Sequence, residues 1–151
     1  FLMENANLCA KEVDNIMNTK SGLLAIGGSN DMRIIEQKMD EGDENAKLAF
    51  DMFVLKVKKF IGAYIAILGK IDSIIFTAGI GENDARIREA VCEGLEIFDI
   101  KIDKIKNKES KDEPRRISQI DSKVRIAIVP TDEELAIAQD ALRIIKNKGN
   151  K

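Results

Sequence analysis

Twice in this chain a short run rich in Ile and Val ends in a turn and passes directly into an amphipathic helix. Residues 73–77 lead through 78–83 into a helix carrying Ile87, Val91 and Leu95. Residues 124–129 lead through 130–133 into a helix carrying Leu135, Ala138, Leu142 and Ile145. β-Branched runs that each feed a helix predict parallel strands, because parallel neighbours need a crossover and are covered on their faces by the crossing helices. An α/β fold with helices packed on a sheet is therefore expected. With 151 residues, the chain is long enough to bury a sizeable core and is expected to form a single domain over 1–151.

The strongest helical signal lies upstream. Ala46, Ala49, Phe50, Phe53, Val57, Phe60, Ile61, Tyr64, Ile65 and Leu68 recur at threes and fours, with lysines and Asp51 on much of the remaining surface. Such a helix needs a broad apolar partner, either a sheet face or another subunit. Residues 10–17 predict a short helix. Residues 18–29, with three glycines around Leu23 to Ile26, predict an irregular connection. Ser29 is a candidate cap for a helix running to about Met39. Residues 99–121, dense in Lys, Asp and Glu, predict a solvated excursion with short edge strands at 101–103 and 116–118. The Lys-rich tail from Lys146 is expected to fray.

Composition narrows the partners. A net charge of -2 with dispersed Lys and Arg gives no basic stripe for nucleic acid. No apolar run is long enough to span a bilayer, so no membrane partner is expected. Cys9 and Cys92 are too far apart in sequence to suggest a metal motif and read as reduced thiols, which suits a cytoplasmic protein. A chain opening on Phe1 is expected of a processed product or a piece of something longer. Histidine is absent, which excludes a His-based triad or a His general base within these residues.

Three segments carry candidate chemistry. In Gly79-Ile80-Gly81-Glu82-Asn83, glycines at the end of a strand can take positive φ and admit a ligand close to the backbone, and a following helix start favours negative charge. Glu82 suits a sugar hydroxyl or a structural hydrogen bond, and Asn83 an N-cap or a ligand contact. The same residues also suit a strand–helix junction that uses glycine for tight packing. In Pro130-Thr131-Asp132-Glu133-Glu134, Thr131 and Glu134 match a capping box. Asp132 and Glu133 are then carboxylates where open α/β sheets bind ligands and hard cations, or first-turn acids favoured by the helix dipole. In Ser29-Asn30-Asp31-Met32-Arg33, Arg33 is a cation at a helix start, explained by an anionic partner, by Asp31, or by simple solvation.

Taken together, S-G-L-L-A-I-G-G-S-N-D-M-R (21–33), the apolar helix at 46–64, F-T-A-G-I-G-E-N (76–83) and V-P-T-D-E-E-L-A-I-A-Q-D (129–140) resemble the C-terminal domain of the acetate kinase family. The resemblance runs from about Glu12 to Ile145. It implies the C-terminal half of a duplicated ribonuclease H-like, actin-like ATPase fold. It also implies Mg2+-dependent, reversible phosphoryl transfer between ATP and acetate, giving acetyl phosphate and ADP. By the resemblance, Asp31, Met32 and Arg33, together with Gly79, Ile80, Gly81, Glu82 and Asn83, bind the nucleotide, and Glu133 supports the Mg2+. The implied partners are an N-terminal domain of the same enzyme, a second subunit making a homodimer, and a small carboxylate substrate.

The chain departs from that pattern at Asp132, where the family usually has asparagine. It also corresponds to only the last third or so of a family member, and the residues that perform the transfer are expected outside it. No catalytic residue is expected in this chain, which is predicted to be inactive alone. The alternatives are a propionate- or butyrate-type acyl kinase domain, or a non-catalytic nucleotide-binding and dimerisation module.

Overall fold

The computed structural model describes residues 1–148, and the last three residues of the Lys-rich tail lie outside the described part. The chain divides into two compact units, Phe1–Lys70 and Ile71–Lys151.

The first unit is helical. It runs α1 (Leu2–Asn5), α2 (Ala10–Thr19), α3 (Gly22–Gly27), α4 (Met32–Asp40) and α5 (Glu44–Leu68). The connection expected over 18–29 therefore contains a helix. One and a half turns of Gly-Leu-Leu-Ala-Ile-Gly are too short to show periodicity, and tertiary packing supplies what propensity lacks. That packing is close: a Cβ on Gly27 would lie 2.4 Å from Ile35 Cδ1 and 2.9 Å from Ala49 Cβ, so only glycine lets α3 meet α4 and α5. The cap of α4 is Asp31 rather than Ser29, whose hydroxyl instead accepts the Asp31 N–H at 3.0 Å. Helix α5 begins at Asp43, whose carboxylate accepts the N–H groups of Asn45 and Ala46, and ends at Gly69 in the left-handed region. Its first half buries Ala46, Ala49, Phe50 and Val54, each large apolar side chain contributing about 1.5–3 kcal/mol on full burial. Its second half leaves Phe60 and Tyr64 more than half exposed.

The second unit contains a small mixed sheet. In chain order come β1 (Ser73–Phe76), α6 (Ala78–Asn83), α7 (Ala85–Cys92), a 3-10 turn (Glu96–Phe98), α8 (Lys104–Lys108), β2 (Arg115–Arg116), β3 (Arg125–Ile128) and α9 (Glu133–Lys148). The sheet order is β1-β3-β2. β1 and β3 are parallel, with Phe76 opposite Ile128, and β2 joins β3 antiparallel. The two strand–turn–helix repeats thus place their strands side by side and in the same direction.

Two expectations need correction. The segment 99–121 is not merely a solvated excursion. Ile100, Ile102, Ile117 and Ser118 are buried, while the antiparallel bridge between Ile102 and Ser118 agrees with the short edge strands expected at 101–103 and 116–118. Its many charges obscure the few apolar residues that dock while the lysines and acids face outward. Conversely, α9 does not pack on the sheet: Leu135, Leu142 and Ile145 are all at least half exposed. Amphipathicity says which face of a helix is apolar, not what covers it. No helix among the described residues is long and apolar enough to cross a membrane.

Candidate functional site

Because β1 and β3 are parallel neighbours in register, the segments that follow them leave the sheet at the same rim. This is where open α/β sheets place ligands. The segment after β1 is not an open glycine turn. It is the six-residue helix α6, entered through Ala78 at φ 59, a left-handed conformation uncommon for a residue with a side chain. Neither Gly79 nor Gly81 has positive φ, so the glycines serve for space instead. A Cβ on Gly81 would press to 3.3 Å from the Phe76 carbonyl carbon, whereas one on Gly79 would meet nothing within 4 Å. Gly81 therefore lets α6 lie on the strand end, and Gly79 leaves its outer side open.

Glu82 is held by hydrogen bonds that its place in the sequence did not identify. Its Oε1 accepts the Thr131 backbone N–H and the Thr131 hydroxyl, both at 2.8 Å, from the segment after β3. These donors, with a smaller contribution from the Ala78 N–H, hold the carboxyl below its ordinary value of 4.5. Glu82 lies in the last turn of α6, and its carboxylate takes up the Ala78 N–H at the helix start together with the two Thr131 donors. Asn83 is exposed at the rim, with Nδ2 donating to the Gly79 carbonyl at 2.9 Å.

Thr131, committed to Glu82, does not cap α9. Asp132 does, its Oδ1 accepting the Leu135 N–H at 2.8 Å, so the expected Thr131–Glu134 capping box is replaced by an Asp132 cap. The charge of Asp132 is thereby directed to the helix start. Glu133 is exposed in the first turn of α9. Among the described residues no group of three or more His, Cys, Asp or Glu could hold a metal ion. One carboxylate suits Mg2+ only where phosphates and water complete an octahedron, which is how Mg2+ is commonly held with nucleotides.

In the first unit, the Asp31 carboxylate accepts the Arg33 N–H and Nε–H at 3.0 Å each and pairs with Nη2 at 2.6 Å. Asp31 is lowered and Arg33 raised by that hydrogen bonding and charge. The cation at the helix start is thus explained within the helix, and the Arg33 side chain remains 89% exposed. Met32 is buried in the core.

Two further residues build the rim. Arg88, only 2% exposed, donates through Nε to Asn107 Oδ1 at 2.7 Å. Its Nη1 donates to the Gly81 and Glu82 carbonyls at 2.9 Å each, and its Nη2 to the Asn107 carbonyl at 2.7 Å. One guanidinium thus satisfies carbonyls at the ends of α6 and α8, where helix dipoles are negative. Burial, with repulsion from Arg115, pushes its pKa down. The available sequence signal was position: Arg88, Val91, Cys92 and Leu95 share one helical face. A cleft of about 150 Å³ beside Arg88, Arg115 and Pro130 is too small for a nucleotide, whose class of ligand occupies roughly 300–1,000 Å³.

Comparison with known proteins gives a consistent picture. The model of the acetokinase family matches residues 1–139. The chain is 75% identical over 145 residues to the acetate kinase of Campylobacter fetus subsp. fetus (strain 82-40), covering 96% of this chain and 36% of that protein. It superposes on the crystal structure of Porphyromonas gingivalis acetate kinase with a TM-score of 0.86 and 41% identity, covering 96% of this chain and 37% of that one. A propionate kinase from Francisella tularensis subsp. tularensis SCHU S4 follows at 0.81 and 40%, covering 91% and 35%. The chain spans just over a third of the length of these relatives.

Proposed function

We propose, since this chain belongs to the acetokinase family, that it is the C-terminal nucleotide-binding domain of a longer kinase. That enzyme catalyses reversible phosphoryl transfer between ATP and acetate, giving acetyl phosphate and ADP. In this reading both compact units belong to that one domain, which is half of a duplicated actin-like fold. The family resemblance assigns nucleotide contact to Gly79, Ile80, Gly81, Glu82 and Asn83 in the second unit, and to Asp31, Met32 and Arg33 in the first, where Met32 is buried and anchors the segment. Gly79 admits the ligand to the backbone and Asn83 stands beside it, while Glu82, whose carboxylate is held by Thr131 and whose carbonyl accepts from Arg88, fixes the segment in place. Glu133 holds Mg2+ together with the nucleotide phosphates. When bound, Mg2+ supplies neutralisation of charge on the transferring phosphoryl.

The observation that carries this reading is the common rim of the two segments following β1 and β3, in a chain closely related to an acetate kinase. Phosphoryl transfer depends on positioning and on groups that neutralise developing charge, and these residues offer one carboxylate and part of a pocket. The chain alone is therefore inactive. A homodimer and a cytoplasmic location belong to the same reading, with the exposed second half of α5 available to a second subunit. A propionate-type acyl kinase is the second reading, favoured by nearly equal identity to the propionate kinase. The test is acyl phosphate formation by the full-length protein and by this chain, with acetate and propionate compared. Turnover by the full-length protein and none by the chain is expected. A full-length protein inactive on both acids, or a fully active isolated chain, would overturn the reading.

A further inference from the structure

We infer that Thr131 is a positioning residue which, through Glu82, couples the nucleotide-facing helix α6 to the segment bearing Glu133, so that nucleotide and Mg2+ bind cooperatively. The inference rests on the proposed function and goes beyond it by assigning the coupling to a particular pair. Thr131 and Glu82 lie 49 positions apart in the sequence, yet two donors of Thr131 converge on one carboxylate oxygen. On the other side, Glu82 belongs to the same short helix as Gly79 and Asn83, and Glu133 follows Thr131 by two residues.

The tie matters because little else in this chain orients the start of α9. The described side chains of α9 are exposed, so its direction is not set by a packed face. β3 ends at Ile128, the Val129 N–H still donates to the Phe76 carbonyl at 3.0 Å, and beyond the half-buried Pro130 the pair of bonds to Glu82 holds Thr131. The charge of Glu82 is stabilised by the Thr131 donors and, to a smaller extent, by the Ala78 N–H. A carboxylate held by neutral donors from two segments responds to the loss of either. Displacing Thr131 would free Glu82 and shift Glu133 relative to α6. Ordering of either ligand site would then no longer favour the other, and such coupling is reciprocal for binding.

The experiment uses the full-length protein. ADP affinity is measured by calorimetry with and without Mg2+ for wild type, Thr131→Val and Thr131→Ser. Valine keeps the shape and the backbone N–H but removes the hydroxyl donor; serine restores it. In Thr131→Val the Mg2+-dependent gain in ADP affinity is expected to fall about fivefold or more, with metal-free affinity within about twofold of wild type. Thr131→Ser should recover the gain. An unchanged gain in Thr131→Val, or equal losses with and without Mg2+, would overturn the inference while leaving the nucleotide reading in place. Wild-type protein that binds no ADP would overturn both. Hydrogen exchange without ligand supplies an independent readout: the valine variant should exchange faster in both 78–83 and 130–135, and unaltered exchange in either segment would count against the tie.

Discussion

Replacing Arg88 with methionine tests the physical account of the rim most severely. Methionine approximates the length of the side chain but removes the charge and every donor. Four hydrogen bonds are lost, two to carbonyls at the end of α6 and two to Asn107. Each orphaned buried acceptor costs about 1–3 kcal/mol, and water from the adjacent cleft recovers part of this. Relief of the desolvation of a buried guanidinium offsets a further part. The remaining loss is about 3–5 kcal/mol, the range seen when one partner of a buried charged network is removed. Against a typical domain stability of about 5–15 kcal/mol, this removes between about a fifth and nearly all of the stability. Urea unfolding followed by far-ultraviolet circular dichroism reads the total, and hydrogen exchange at α6 and α8 localises it. Arg88→Lys should fall between wild type and methionine, because one ammonium cannot reach both helix ends as a planar fork does. If Arg88→Met lost less than about 1 kcal/mol, the helix-end carbonyls would not depend on Arg88, and this explanation of its burial would be wrong.

Other outcomes follow from the same geometry. Gly27→Ala forces a methyl into Ile35 and Ala49 and should destabilise the first unit by about 1–3 kcal/mol, read as a fall in unfolding midpoint. Gly79→Ala adds a methyl into open space on a helix, so stability should hold or rise by up to about 1 kcal/mol. ADP binding by the full-length protein should nevertheless weaken, and the opposite pattern would remove Gly79 from the ligand side. The folded pKa of Glu82 is depressed, so its stabilising contribution is present above its ordinary value of 4.5 and disappears as pH falls through the lower folded value. Protection of the Thr131 amide should follow that descent, and should become insensitive to it in Glu82→Gln.

Much of the secondary structure was legible because it is local. Helix α5 announces itself through spacing at threes and fours and ends where Asp43 caps it and Gly69 reverses the chain. β1 and β3 announce themselves as β-branched runs, each feeding a helix. α3 and α6 stayed hidden because six residues with two glycines apiece carry neither a period nor good propensity. The buried isoleucines of 99–121 were masked by the lysines and acids around them.

For the candidate site, the sequence determined which residue types stand at the strand ends and in what order: glycines and an amide after β1, carboxylates after β3, and an Asp–Arg pair at the start of α4. These follow from the order of residues and need only the local backbone. Tertiary structure alone decided their employment. It gave Thr131 to Glu82 and the α9 cap to Asp132, and it buried Arg88 against two helix ends. The physical reason is that each hydrogen-bonding group serves whichever partner the fold brings within about 3 Å, and partners 49 residues apart leave no mark on local sequence.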